Sequence, residues 1–525
     1  MTAQAHKGEK GRSSPKKLTM LAFYMLTVAM VMDLHEYPLF ATSGFSLIFF
    51  LVIGGLIWFI PASLCSAEMA TVEDWEAGGI FVWIKHTLGE RLGFVAIFFQ
   101  WFQVTVGFLA MLYFIVGAIS SATGIAELNN NPLIKFIVVV ALFWIITFIQ
   151  FGGSKVTERI GNIGGIVGII IPTVVLLTLA VLYIVSGGSS QIAFNPQALV
   201  PDFSQPTTLV VFISFILSYM GVEASASYAN DLENPKRNYP LAMFLVVITA
   251  IVLNTIGGMA VALTVPLSEL SLNNGIIQAL SVLFAHAGVT MSWCAGLVAL
   301  MIAVGVTAEV AEWVIGPVRG IYMAAQQGLL PPRLRKATRR DVPIVLVLIQ
   351  GAVVTAWAAV LTLGGGGNNL SFLIAVSLTV VIYLIAYLLL FAGYLVMVFK
   401  QANLKRRYQI PGGKVGKTIV AALGILSSLF AFGISFVPPS SVTGGEVPVY
   451  LVILSVGFLV TLIAPFVLYA LHDKSVHKSL VSPTHLPVTK ARRLVHPLSR
   501  GVHAITPTHD DYLAGRPRQS ERKPR

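Results

Sequence analysis

The apolar residues of this chain come in blocks of about 20, long enough for a helix to cross a hydrocarbon core of ~30 Å at ~1.5 Å per residue. The blocks cover 18 to 39, 45 to 67, 92 to 118, 132 to 151, 160 to 185, 207 to 227, 239 to 265, 291 to 315, 342 to 363, 370 to 398, 418 to 437 and 447 to 471. They predict an all-α membrane protein with 12 transmembrane helices. Two blocks are interrupted midway, the first at Asp33-Leu34-His35-Glu36-Tyr37-Pro38 and the sixth at Ser218-Tyr219-Met220-Gly221-Val222-Glu223. Polar, helix-weakening backbone at that depth is tolerated only where it lines a cavity or is buried in protein, so both breaks are expected to face inward.

Discontinuous helices at the first and sixth positions point to two five-helix repeats of inverted topology, a LeuT-like 5+5 arrangement. The repeats are expected at 18–185 and 207–398, with a binding site between them near the midplane. Two extra helices at 418–471 follow, and polar segments at 1–17 and 472–525 flank the whole. Half-helix ends expose N–H groups that suit a carboxylate and carbonyls that suit an ammonium, and an amino acid carries both. Three further stretches read as ordered: an amphipathic segment at 71–90, a continuation of the eighth helix over 316–330, and a short interfacial helix at 275–286.

Composition agrees with this picture. Of 525 residues, 56% are hydrophobic and 11% charged, against roughly 25% charged in a soluble domain. So few charges cannot cover a soluble surface. Charge placement adds direction: 34 of the 35 Lys and Arg residues fall in alternate loops and the two terminal segments, with Lys135 the exception. Basic residues collect on the cytoplasmic side, so both termini are expected there. The net charge of +12 follows from basic loops beside anionic lipid and does not imply nucleic-acid binding. Cys65 and Cys294 suggest neither a disulfide framework nor a metal site. No Ser/His/Asp set appears, and Lys414-Val415-Gly416-Lys417-Thr418 only imitates a phosphate loop, since Pro411 occupies its first glycine position. Neither an enzyme nor a cofactor is indicated.

Candidate site residues cluster at the breaks and on two other helices. His35, Tyr37, Met220 and Gly221 belong to the interrupted stretches. Glu223 is an ionisable group within the membrane, which is costly and commonly functional, although a carboxylate there can also simply cap freed backbone donors. Glu309 and Trp313 lie one helical turn apart and suit an ammonium through charge and cation–π attraction. The alternative is a lipid-facing Trp near a helix end. Tyr383 and Tyr387 share a face and could offer hydroxyls to a carboxylate, but the spacing fits plain packing equally well. His35 and Asp33 could titrate during transport or hydrogen-bond to unwound backbone.

Several of these stretches resemble the amino acid/polyamine/organocation superfamily. The similarity is carried by Met30-Val31-Met32, Glu36-Tyr37-Pro38 with Phe40-Ala41-Thr42-Ser43-Gly44-Phe45, Ala67-Glu68-Met69-Ala70, Tyr219 to Ala226, and Asn234-Pro235-Lys236-Arg237. Ala308 to Pro317, Gly365 to Ala375 and Ile410-Pro411-Gly412-Gly413-Lys414 bring it closer to the bacterial glutamate/GABA antiporters of acid resistance. The resemblance implies exchange of external glutamate for internal GABA, activity in acid, and a functional link to a cytoplasmic glutamate decarboxylase. It also implies closure near neutral pH by the C-terminal segment, where His496-Pro497, Arg500 and His503 look like the family's plug. No partner chain is called for, and a monomer is expected. This chain departs from the family in carrying His35 where relatives have a tyrosine, and Asp33 where they have a small residue. The residues themselves leave open proton-coupled transport, exchange of another pair such as glutamine and glutamate, or an amino-acid sensor.

Overall fold

The computed structural model describes residues 18–30, 34–73, 75, 79–192, 195–226, 229, 232–289, 293–340, 342–364 and 367–470. Asp33 and the tail positions His496, Pro497, Arg500 and His503 lie outside the described residues. Ten helices among the described residues are long and apolar enough to cross a bilayer: Gly44–Ala70, Glu90–Thr123, Pro132–Gln150, Arg159–Val185, Pro235–Thr264, Trp293–Gln326, Ile344–Leu363, Gly367–Lys400, Gly413–Ile434 and Glu446–Ala470. The first and sixth spans are built of shorter pieces. The first has a helix Met20–Met30, then a 3-10 turn Leu34–Glu36 and a short helix Tyr37–Ala41. The sixth has Phe212–Leu217 and Val222–Ala226, separated by a non-helical turn. The result is an all-α protein of 12 spans, with no strand among the described residues.

The eighth span runs unbroken to Gln326, taking in most of the expected continuation, and helices Gly79–Leu88 and Gly275–His286 occupy the other two stretches that read as ordered. The third, eighth and tenth spans are the most enclosed. The fourth, fifth and twelfth expose Ile137, Phe148, Val174, Val181, Val456 and Ile463. Such faces suit lipid, because the helix satisfies its own backbone and the side chains need no water.

Two spans widen locally. Gly55–Phe59 in the second and Gly164–Ile170 in the fifth are π-helical, and each precedes a proline, Pro61 or Pro172, at the start of the next α-helical stretch. Proline has no N–H for the carbonyl four residues back, and the wider turn absorbs the mismatch. At Pro61 that carbonyl belongs to Ile57, and Ser427 of the eleventh span donates its hydroxyl to it at 3.0 Å. In the fifth span the wide turn meets the eighth so closely that a Cβ on Gly168 would stand 2.1 Å from the Gly305 nitrogen. Only glycine permits that approach of two backbones.

Buried charges hold the two ends. On the side where basic loops gather, Glu68 is fully buried near the end of the second span. It takes Lys417 Nζ at 2.5 Å, Arg406 Nη1 at 3.1 Å, the Tyr394 hydroxyl at 2.8 Å and the Ile410 amide at 2.8 Å. Two cations and two neutral donors thus fasten the second span to the tenth, the eleventh and the loop between them. At the opposite end, Lys135 is buried, donates to Asn368 Oδ1 at 2.8 Å and sits 4.3 Å from the Tyr113 ring centroid. An amide oxygen and a π face replace water around its ammonium. This lone exception to the loop asymmetry is an internal strut, outside the reach of a rule that concerns loop charges.

Candidate functional site

The centre of the site is the turn at 218–221 in the sixth span. The amides of Ser218, Tyr219 and Met220 still reach the carbonyls of Ser214, Ile216 and Leu217. Gly221, at φ +94°, turns its N–H out of the helix and donates to the Tyr387 hydroxyl at 2.9 Å. Glycine adopts that backbone angle without the steric cost any other residue meets. The break therefore delivers one amide to a neighbouring span.

Glu223 sits in the first turn of the resumed helix and is 2% exposed. Tyr383 and Tyr387 of the tenth span donate to it, one to each carboxylate oxygen, and Gln100 of the third span donates Nε2 to Oε1 at 2.7 Å. All three donors are neutral. They stabilise the carboxylate without cancelling its charge. The tyrosine rings lie 5.0 Å apart, and Trp58 packs edge-on against Tyr387 at 4.6 Å. Trp58 is itself fixed by donating to Ser428 Oγ at 2.9 Å, so the second and eleventh spans orient the hydroxyls.

The eighth span closes the other side. The tip of the half-buried Trp313 ring comes within 3.4 Å of where a Cβ on Gly221 would stand. One turn earlier, Glu309 Oε2 lies 3.8 Å from Nδ1 of His35 in the 3-10 turn of the first span. His35 is buried, with its ring 6.2 Å from that of Phe114. Glu312 points elsewhere: a Cβ on Gly161 of the fifth span would meet its Oε1 at 2.2 Å.

The structure thus gathers His35, Gly221, Glu223, Glu309, Trp313, Tyr383 and Tyr387 into one chain of contacts between broken and continuous spans. Met220 is buried within the same turn. Tyr37 faces another way, onto the seventh span, where a Cβ on Gly257 would stand 2.1 Å from its ring. Gln100 belongs to the site and escapes a reading that looks for charge. Its signal is a lone amide in the run Phe98-Phe99-Gln100-Trp101-Phe102. Among the described residues, no group of three or more His, Cys, Asp or Glu could hold a metal ion.

The chain matches the Amino acid permease family over residues 18–458. It is 54% identical over 498 residues to the glutamate/gamma-aminobutyrate antiporter of Lactococcus lactis subsp. lactis, covering 95% of this chain and 99% of the relative. The antiporter of Lactococcus lactis subsp. cremoris matches at the same identity and coverage. An uncharacterized transporter of Legionella pneumophila is 29% identical over 88% of this chain and 98% of its own. Among solved structures, the Eremococcus coleocola manganese transporter in complex with an aromatic bis-isothiourea substituted compound superposes with a TM-score of 0.52, at 15% identity, over 86% of this chain and 94% of the other. That likeness concerns the fold alone, and it agrees with an inverted-repeat bundle whose first and sixth spans are discontinuous. These relatives are named as antiporters and transporters, and this chain belongs to the amino acid permease family.

Proposed function

We propose that this protein exchanges glutamate for GABA across a bacterial cytoplasmic membrane. The observation that carries the reading is the 54% identity, over nearly the full length of both chains, to two antiporters named for those substrates. The site geometry supports it. Glu223, held by neutral donors, offers a carboxylate to an ammonium, while the Gly221 amide can pass from the Tyr387 hydroxyl to a substrate carboxylate. The tip of the Trp313 ring reaches the same break and can meet an ammonium by cation–π attraction.

Alternating access follows from this arrangement: the first and sixth spans, with the eighth and tenth, cradle one amino acid near the midplane, and the bundle rocks against a scaffold. Easy movement only of the loaded carrier enforces exchange. Importing glutamate and exporting its decarboxylated product removes one proton from the cytoplasm per cycle, because a cytoplasmic glutamate decarboxylase consumes it. The carrier then needs no proton path of its own. The loop asymmetry supports cytoplasmic termini, the repeats are assigned to 18–185 and 207–398, and the protein acts as a monomer. Beyond His472 the tail holds five of the chain's ten histidines, which gain positive charge in acid. Repulsion from the basic loop carrying Arg333, Arg335, Lys336, Arg339 and Arg340 then opens the pore.

The test is counterflow in proteoliposomes from about pH 4.5 to 8, bracketing the ordinary histidine range, with labelled glutamate outside and GABA inside. Uptake that requires internal GABA supports exchange, and uptake into empty vesicles refutes it. A chain ending at His472 is expected to stay active at neutral pH, and unchanged shutdown in that chain removes the plug from the mechanism.

A further inference from the structure

We propose that Gln350 of the ninth span is a positioning residue for transport: its amide holds the eighth span beside Pro317 and so sets where Trp313 stands against the Gly221 turn. The inference goes beyond the glutamate/GABA reading, since it concerns the shape of the site and holds for any amino acid carried there.

Pro317 lies inside the helix Trp293–Gln326. It brings no N–H for the carbonyl four residues back, and its ring crowds that carbonyl. The carbonyl belongs to Trp313, the residue whose ring tip comes within 3.4 Å of where a Cβ on Gly221 would stand. The eighth span is thus weakened at the residue that reaches into the sixth-span break. Gly316 adds no stiffness to this turn, and a Cβ there would meet open space, so packing gives no reason for a glycine.

Gln350 supplies from outside what the helix lacks. It is fully buried in the ninth span, Ile344–Leu363, and its Nε2 donates to the carbonyl of Val314, the residue after Trp313, at 3.2 Å. The other end of the amide accepts from Trp101 Nε1 of the third span at 2.8 Å. An indole N–H only donates and a carbonyl only accepts, so a single orientation of Gln350 satisfies both. The side chain cannot swing away without leaving buried polar groups unpaired, which fixes the backbone between Trp313 and Pro317. The second span uses a related device, where Ser427 donates to the Ile57 carbonyl freed by Pro61. There the helix widens as well, whereas the eighth span stays α-helical through its proline.

The third span connects this pin to the rest of the site. Gln100 donates to Glu223 at 2.7 Å, and the next residue, Trp101, donates to Gln350. Consecutive residues of one enclosed helix therefore hold the carboxylate of the sixth span and, through Gln350, the backbone behind Trp313. The gap between the Trp313 ring and the Gly221 turn is set by that shared support.

The experiment measures KM and maximal rate of GABA self-exchange in proteoliposomes holding the full-length protein. Gln350→Met, which keeps the length of the side chain and removes its donor and acceptor, is expected to raise KM at least about fivefold, with a smaller change in maximal rate. In a Trp313→Phe chain, whose shorter ring no longer reaches the turn, adding Gln350→Met is expected to raise KM by less than about twofold further. Trp101→Phe releases only the far end of Gln350 and is expected to act in the same direction by a smaller factor. It takes the place of Gln350→Met if thermal melting shows that variant unfolded. Unchanged KM in the folded variants, or factors that multiply in the double variant, overturn the assignment. Where Trp313→Phe exchanges too slowly to measure, hydrogen–deuterium exchange of the backbone decides. Faster exchange in Gln350→Met confined to 309–321 supports the pin, and exchange that is unchanged or faster in every span overturns it. Should the wild-type protein not exchange GABA, the glutamate/GABA reading falls, and the hydrogen–deuterium comparison still decides on Gln350.

Discussion

Two carboxylates, Glu68 and Glu223, are buried in this protein to nearly the same degree and are treated in opposite ways. Glu68 meets Lys417 and Arg406 as well as two neutral donors, so its charge is outweighed where it stands. Glu223 meets two tyrosine hydroxyls and one amide, all of them neutral. The first arrangement ties helices together and has nothing left to offer a ligand. The second places no cation beside the carboxylate among the described residues. Burial alone does not separate the two arrangements; the sign of the neighbours does.

The contrast can be broken most severely at Glu68. Glu68→Ala leaves two cations in the interior without a counter-charge, and a loss of about 3–5 kcal/mol is expected, seen as collapse of the melting transition and aggregation on gel filtration. Tyr387→Phe removes both a donor to Glu223 and the acceptor of the Gly221 amide. A cost of about 1.5–3 kcal/mol in denaturation of the purified protein is expected, together with slower exchange. Glu223→Gln is expected to do the reverse of Glu68→Ala: melting shifts by the equivalent of less than about 1 kcal/mol, since the amide oxygen still accepts from a tyrosine, while exchange falls at least tenfold. Equal destabilisation by Glu68→Ala and Glu223→Gln would erase the distinction. The smallest effect on transport is expected for Trp58→Phe, which gives up one hydrogen bond to Ser428 at about 0.5–1.5 kcal/mol and slows exchange only through a looser Tyr387.

Much of this architecture is legible in one dimension because the bilayer imposes a length on every apolar block. The expected span at 92–118 lies within Glu90–Thr123, and the sixth-span break occurs where Gly221 and its polar neighbours interrupt an apolar run. What stays hidden depends on partners far apart in sequence. Glu68 is conspicuous within Ala67-Glu68-Met69-Ala70, but nothing local tells that Lys417, 349 residues on, will reach it. Gln100 looks like a tolerated polar residue until Glu223 is folded against it. Tyr37 illustrates the opposite limit. Adjacent to the first break, it turns to the seventh span because Gly257 leaves room for its ring, a choice that spacing cannot reveal. The π-helical turns were signalled only by Pro61 and Pro172, and the same prolines could equally have produced kinks.

The crossing of Gly168 and Gly305 carries a consequence for motion. Backbone rests there on backbone, and on the following turns Ala308 and Glu312 seat their side chains against Gly164 and Gly161. The contact resists compression, and a tilt of one helix on the other pivots at the glycine crossing. Glu309 and Trp313 ride on the same rod, one and two turns beyond it. A slight tilt at that crossing therefore grows with distance along the rod and moves Trp313 further than Glu309.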